Sequence, residues 1–223
     1  MLRFSCPNCG ASVAFRSAAL PNVVCDYCRS VIVRTDDGIG VVGTQAALPF
    51  DVSPIQRGTR GRFDDRAFEV IGRVRWRWSD GAWNEWLCLF GQDEHGWLGE
   101  AMGQFMMTFE RPMQDVRSPK LRRIASGGDA IPGTRVDVGK RAYAVGDARE
   151  VTCIAAEGEL PFKAPPGWRL YSVDLRSTDG SVATLQREAS GTSFYEGRYV
   201  TLADLHATDL RAIEGWAMPR HAG

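Results

Sequence analysis

Val70-Ile-Gly-Arg-Val-Arg-Trp-Arg-Trp78, then Ser79-Asp80-Gly81, then Ala82-Trp83-Asn-Glu-Trp86-Leu-Cys-Leu-Phe90 is the stretch on which the fold turns. Its period is two. Val70, Gly72, Val74, Trp76 and Trp78 fall on one face of a strand, and Arg73, Arg75 and Arg77 on the other. Ser79-Asp-Gly81 is a tight turn, and Trp83 to Phe90 returns as the antiparallel partner. Outward from this hairpin, Gln92-Asp-Glu-His-Gly96 turns into Trp97 to Glu100, and Gly103 to Phe109 continues a meander. Farther on, Arg149–Ala156, Trp168–Leu175, Ser181–Arg187 and Thr192–Val200 read as strands. Thr201-Leu-Ala-Asp204 is a capping pattern that predicts a short C-terminal helix, with Leu202, Leu205, Leu210 and Ile213 as its apolar side.

The hairpin also begins a repeat. Gly58-Thr-Arg60 recurs as Gly133-Thr-Arg135, and Arg66-Ala-Phe68-Glu-Val70 as Arg141-Ala-Tyr143-Ala-Val145. The offset is 75 positions, too long for a solenoid and suited to two related β units packed as one body. The units are expected at 58–112 and 133–205, with an exposed basic loop (Arg117, Lys120, Arg122, Arg123) over 113–132 and a tail over 206–223.

At the other end, Cys6-Pro-Asn-Cys9-Gly10 and Cys25-Asp-Tyr-Cys28-Arg29 are two C-x2-C pairs fifteen residues apart. Such knuckles supply four soft thiolates in a tetrahedron, which predicts one structural zinc ion in a ribbon over 1–35. With no open coordination position the metal would hold the fold rather than catalyse. Two rival readings, a redox-active pair and two disulfides, need a βαβ setting or an oxidising compartment, and the sequence offers neither. Cys88 and Cys153 stand in apolar runs and read as small core residues. Residues 36–57, with Asp36, Asp37, Pro49 and Pro54, read as a connector.

Composition narrows function. Lys+Arg and Asp+Glu balance at 27 each, which removes the bulk electrostatic reason for a nucleic-acid or anionic-membrane partner. The ribbon's own excess is about +1 once the zinc thiolate charge is included, so it is expected to dock a protein. No run of 18 apolar residues crosses a bilayer, and no signal peptide opens the chain, so a cytoplasmic location is expected.

Leu48-Pro-Phe-Asp-Val-Ser-Pro54, Gly58-Thr-Arg-Gly61, Phe68-Glu-Val-Ile-Gly72, Trp83-Asn-Glu-Trp86, Gly96-Trp-Leu-Gly-Glu100 and Glu157-Gly-Glu-Leu-Pro161 together resemble a bacterial family, the domain of unknown function numbered 4178, often found behind a zinc ribbon. The resemblance implies no established activity and no catalytic residue. It implies only a neighbourhood with polyamine-synthesis and membrane-stress systems.

The candidate sites divide accordingly. Trp76, Trp78, Trp83, Trp86 and Trp97 are expected to be mainly core, with one or two left for a binding face. Arg73, Arg75 and Arg77 would stand about 6.6 Å apart along a strand face, ready for phosphate or for cross-strand carboxylates such as Glu85. Glu157 and Glu159 share a face by the same spacing. With Asp93, Glu94 and His95 they suggest an acidic site for a small cation, flanked by tryptophan. No P-loop, G-x-S-x-G, H-E-x-x-H or G-x-G-x-x-G sequence assigns catalytic roles. The fold class expected is mainly β: a four-cysteine ribbon, then a duplicated antiparallel sheet or barrel, then a short helix. The function expected is a non-enzymatic adaptor or ligand-sensing protein. Its alternatives are a nucleic-acid-binding zinc ribbon and an enzyme with a carboxylate site at Glu157 and Glu159.

Overall fold

The computed structural model describes residues 1–36, 38–49 and 51–219; Asp37, Phe50 and residues 220–223, which belong to the expected connector, family motif and tail, lie outside the described residues. The molecule is mainly β and antiparallel throughout.

The ribbon is built on its two knuckles. β1 (Leu2–Ser5) and β2 (Ser12–Phe15) form a hairpin around the first, and β3 (Asn22–Val24) and β4 (Ser30–Thr35) flank the second. β5 (Gly38–Thr44) then pairs with β4. The expected connector therefore begins as a strand of the ribbon's sheet. Its remainder is also docked: Gln45 accepts from the Ala156 amide at 3.1 Å and donates to the Ala164 carbonyl at 2.7 Å.

The body starts with β6 (Arg60–Phe63), β7 (Arg66–Trp78), β8 (Gly81–Phe90), β9 (Glu94–Ala101) and β10 (Gln104–Arg111). After a crossover come β11 (Arg135–Val138), β12 (Arg141–Leu160), β13 (Arg169–Arg176), β14 (Ser181–Glu188) and β15 (Gly191–Val200). The pairings β7-β8-β9-β10-β15-β14-β13-β12 return to β7 and close a ring of eight strands. Closure is visible at Thr152, which faces Arg169 of β13 on one edge and Arg77 of β7 on the other. A closed ring leaves no unpaired edge, and eight strands enclose a space that side chains fill or that holds one small ligand.

The 75-residue echo is also an echo of hydrogen bonds. Arg60 pairs with Glu69, and Arg135 with Ala144. The Gly58 amide donates to the Val70 carbonyl, and that of Gly133 to the Val145 carbonyl. β7 is bulged between Val70 and Gly72, and β12 between Val145 and Asp147. The bulge corrects one expectation. An extra residue shifts the alternation by one, so Val70 joins the outer cluster while Ile71, Val74 and Trp76 face inward.

Burial therefore has three layers. Outside the first half, Phe63, Phe68, Val70, Trp86 and Leu98 lie under Leu202, Leu205 and Ala207. Outside the second, Val138, Tyr143, Val145 and Val173 lie under Val116, Leu121 and Ile124. Within the ring, Ile71, Val74, Trp76, Leu87, Trp97 and Tyr195 form the third layer.

Two covering segments differ from expectation. The 113–132 stretch is not simply a loop, because it contains a 3-10 turn at Met113–Asp115 and α1 (Pro119–Ala125). Ser118 caps α1 by accepting from the Leu121 amide, and Pro119 occupies its first turn; buried Leu121 and Ile124 outweigh the nearby glycines. The expected C-terminal helix stops after one turn. Its capping contacts form, Thr201 amide to Asp204 at 2.8 Å and Asp204 amide to Thr201 Oγ1 at 3.0 Å. One helical bond follows, from the Leu205 amide to the Thr201 carbonyl, before His206 turns left-handed at φ 46°. Breaking there places Leu205, Ala207 and Leu210 on the first half's outer face together.

Candidate functional site

The four cysteines converge. Their sulfurs lie within 4.8 Å of one another, with Cys6–Cys28 at 3.6 Å and Cys9–Cys25 at 3.8 Å. A tetrahedron with metal–sulfur bonds of about 2.3 Å has edges of about 3.8 Å, so this set fits a metal ion. Both knuckles have one backbone form. The Cys6 amide donates to the Ala11 carbonyl at 2.7 Å, and the Cys25 amide to the Ser30 carbonyl at 2.9 Å. Each then needs a left-handed residue, supplied by Gly10 at φ 76° and by Arg29 at φ 59°. Ser30 Oγ lies 3.2 Å from Cys28 Sγ, where its hydroxyl can donate to a thiolate. Among the described residues this is the one group of three or more His, Cys, Asp or Glu side chains placed to hold a metal. Cys88 and Cys153 lie apart and buried; desolvation pushes Cys153 up to about 12 and Cys88 up as well, as inert core thiols require.

The arginine row is not a free surface. Arg73 is buried and ion-paired to Asp51, its guanidinium 4.5 Å above the Trp86 ring. Arg75 pairs with the same Asp51 at 2.6 Å, and only Arg77 is exposed. Glu85 is not their partner, because its register opposite Val74 turns it into the ring.

Glu157 and Glu159 share β12 but not a site. Glu157 lies 3.5 Å from Arg57 and 3.7 Å from Arg73. Glu159, 3% exposed, accepts the Arg16 amide at 2.7 Å and the Ser17 amide at 3.2 Å. It fastens the ribbon to the body, alongside β3 pairing with the end of β12. Between them, Gly158 sits at φ 73°, and a Cβ there would meet the Ile71 carbonyl at 2.1 Å. Only glycine allows β7 and β12 to approach so closely. Of the expected acidic loop, Asp93 meets Ser17 at 3.4 Å and Glu94 pairs with Arg66 at 2.5 Å.

The tryptophans divide by face. Trp86 is outside, donating to buried Glu100 at 2.9 Å. Trp76 and Trp97 are buried inside, packed against Trp168 and Phe162 respectively. Trp78 and Trp83, ring centroids 5.5 Å apart, are only half-buried because they line a cavity of about 200 Å³ within the ring. Two acids share it. Glu85 accepts from Trp76 Nε1 at 2.8 Å, Gln186 Nε2 at 3.0 Å and Trp83 Nε1 at 3.3 Å. Asp174 accepts from Thr184 Oγ1 at 3.2 Å. Burial pushes both carboxyls above the ordinary carboxylate range despite these bonds. The sequence pattern names Glu85 only as an arginine partner and does not single out Asp174. The available signals were Trp83 and Glu85 sharing a strand face, and one acid inside Val173-Asp-Leu175.

No helix among the described residues is long and apolar enough to cross a membrane. Neither the curated proteins nor the solved structures contain a match to this chain. A family model does match, over residues 56–202, which span the eight-stranded ring from the segment before β6 to the turn after β15. The chain belongs to the family described as Domain of unknown function (DUF4178).

Proposed function

We propose that this protein is a non-enzymatic, zinc-containing adaptor with a ligand-sensing barrel, acting in the cytoplasm. The observation that carries the reading is β12. Asp147 and Arg149 in its first half line the cavity, while Glu159 at its far end holds the ribbon's backbone. Leu20 of the ribbon segment belongs to the same apolar cluster as Ile71 and Trp76 inside the ring. A ligand that shifts the ring interior thus acts on the strand and the cluster that seat the ribbon.

Zinc is the metal that four thiolates in a closed tetrahedron suit best. The ribbon's knuckle tip presents Tyr27, 82% exposed, to a protein partner, since exposed aromatics at a rim of polar residues mark docking surfaces. The two halves of the ring, alike in register and bulge, are read as copies of one unit. What favours this reading over its rivals is that Arg73 and Arg75 pair with Asp51, leaving Arg77 of that row exposed, and that Glu157 and Glu159 meet Arg73, Arg57 and the ribbon.

The purified chain is expected to carry one equivalent of zinc by elemental analysis, and Cys25→Ser to lose it together with a stoichiometric protein partner. Tyr27→Ala should keep the zinc and lose only the partner. Retention of that partner by both variants would overturn the docking role, and zinc well below one equivalent would overturn the metal assignment.

A further inference from the structure

The ring cavity's walls have a chemistry of their own. At about 200 Å³ it far exceeds the roughly 10–15 Å³ that admits one water. Its lining is mostly apolar, from Trp78, Trp83 and Met106, with Tyr199 and exposed Met102 near the rim. Against this surface stand three carboxylates, Glu85, Asp147 and Asp174, and two guanidiniums. Arg176 is exposed, and Arg149 is ion-paired to Asp147 with its guanidinium 4.9 Å from the Trp78 ring. Glu100, which also borders the cavity, directs its carboxylate outward to Ser53, Asn84 and Trp86. Among the described residues neither Glu85 nor Asp174 has a cation within ion-pair distance. Both are surrounded by protein, and the surface they retain faces the cavity. After desolvation, Glu85 is raised further by the charge of Asp174, and Asp174 by that of Asp147, while the more distant Arg176 and Arg149 charges act on Asp174 in the opposite sense. Two acids that burial disfavours, neither with an ion-pair partner of its own among the described residues, stand beside the Trp83 indole and a void that admits a cation.

We propose that the cavity binds a small organic ammonium ion with an apolar body, a ligand class that rests on the ligand-sensing reading above. The ammonium group sits between Glu85 and Asp174, against the faces of Trp78 and Trp83. The hydrocarbon part lies against Met106. Carboxylate or phosphate ligands are repelled, and a neutral molecule of the same shape leaves the two acids without a counter-ion.

Three probes of equal chain length separate these cases on the full-length zinc-loaded protein: n-pentylammonium, 1-pentanol and pentanoate, followed by tryptophan fluorescence and titration calorimetry. Pentylammonium is expected to change the emission saturably and to give a saturable binding heat. Asp174→Asn should weaken it by roughly tenfold or more with circular dichroism and zinc content unchanged, and Glu85→Gln provides a second test of the same kind. Equal binding of 1-pentanol, or full affinity in both variants, would overturn the ammonium class. Binding of pentanol or pentanoate in place of pentylammonium would also overturn it and leave a ligand-sensing barrel standing. Silence from all three probes at millimolar concentration would remove both.

Discussion

Asp51 and Asp174 are both aspartates held within the body, yet they are opposites. Asp51, on the outer side of the first half, meets Arg73, Arg75 at 2.6 Å, Arg211 at 2.9 Å and Asn84 Nδ2 at 3.1 Å. Asp174, inside the ring, has one hydroxyl donor and, among the described residues, no cation within ion-pair distance, the charges of Arg149 and Arg176 acting only from farther off. Burial by itself raises both carboxyls. For Asp51 the Arg211 hydrogen bond and the Arg73 and Arg75 charges outweigh it and hold the carboxyl below the ordinary range, whereas Asp174 ends above that range. Glu159 is raised by burial as Asp174 is, yet two backbone amides hold its carboxylate, so in use it is nearer to Asp51. The difference teaches which buried acids hold the fold together and which the fold tolerates at a cost. Acids of the second kind are where a ligand can act.

The comparison breaks most sharply at Asp51. Asp51→Ala leaves Arg75, with a side chain 14% exposed, without its carboxylate, and Arg73, 6% exposed, with only Glu157 at 3.7 Å. A loss of about 3–5 kcal/mol in urea denaturation is expected, the usual effect of removing one partner of a buried pair. The wild-type interaction has a definite pH sign. The folded-state pKa lies below the unfolded one, so its stabilisation is complete above the unfolded value near 3.9 and vanishes as pH falls through the folded value. A loss below about 1 kcal/mol would mean that the cluster is dispensable.

Glu159→Ala comes next. Two amides lose their acceptor, for about 1–3 kcal/mol, and the effect should stay local. Hydrogen exchange is expected to quicken over residues 12–24 while β8, β9 and β10 keep their protection. Equal acceleration in the ring would show that Glu159 supports the whole body rather than the ribbon's seat. Glu159→Gln, which keeps one acceptor oxygen, should recover part of the loss.

What could be read in advance followed the range of the interactions involved. Knuckles, hairpins and the meander are local, and C-x2-C spacing, period-two alternation and Ser79-Asp-Gly81 specify them directly. The 75-residue echo has a counterpart in backbone bonding, since Gly58 and Gly133 bond to Val70 and Val145 alike. Ring closure was hidden because β7 and β12 pair across more than seventy residues, and nothing in Gly72 or Gly158 alone names the other. The bulge at Ile71 was hidden for a different reason. It reverses the alternation within one strand, so Val70 and Val74 appear to share a face when they do not. α1 was legible in Ser118-Pro119 and in Leu121 and Ile124, but the basic and glycine content obscured it. For the sites, the cysteines carried their own geometry in their spacing. The acids did not, since whether a glutamate is satisfied depends on partners such as the Arg16 amide, 143 positions away from Glu159.

The smallest expected effect is the most discriminating. Asp174→Asn keeps an oxygen for Thr184 and removes only the ability to ionise. A carboxyl whose folded pKa is raised is bound to its proton more tightly in the native state. Its contribution is therefore fully present below the unfolded value, near 3.9 for aspartate, and is lost as pH climbs through the folded value. The asparagine cannot titrate, so the variant should match or exceed the wild type at pH 7, by no more than about 1 kcal/mol, and should lose that advantage near pH 4. Urea midpoints at the two pH values measure this. A clear destabilisation at pH 7 would place Asp174 with Asp51 among the acids that hold the fold. A flat or favourable result would leave the carboxylate with no structural benefit to explain its place in the cavity wall.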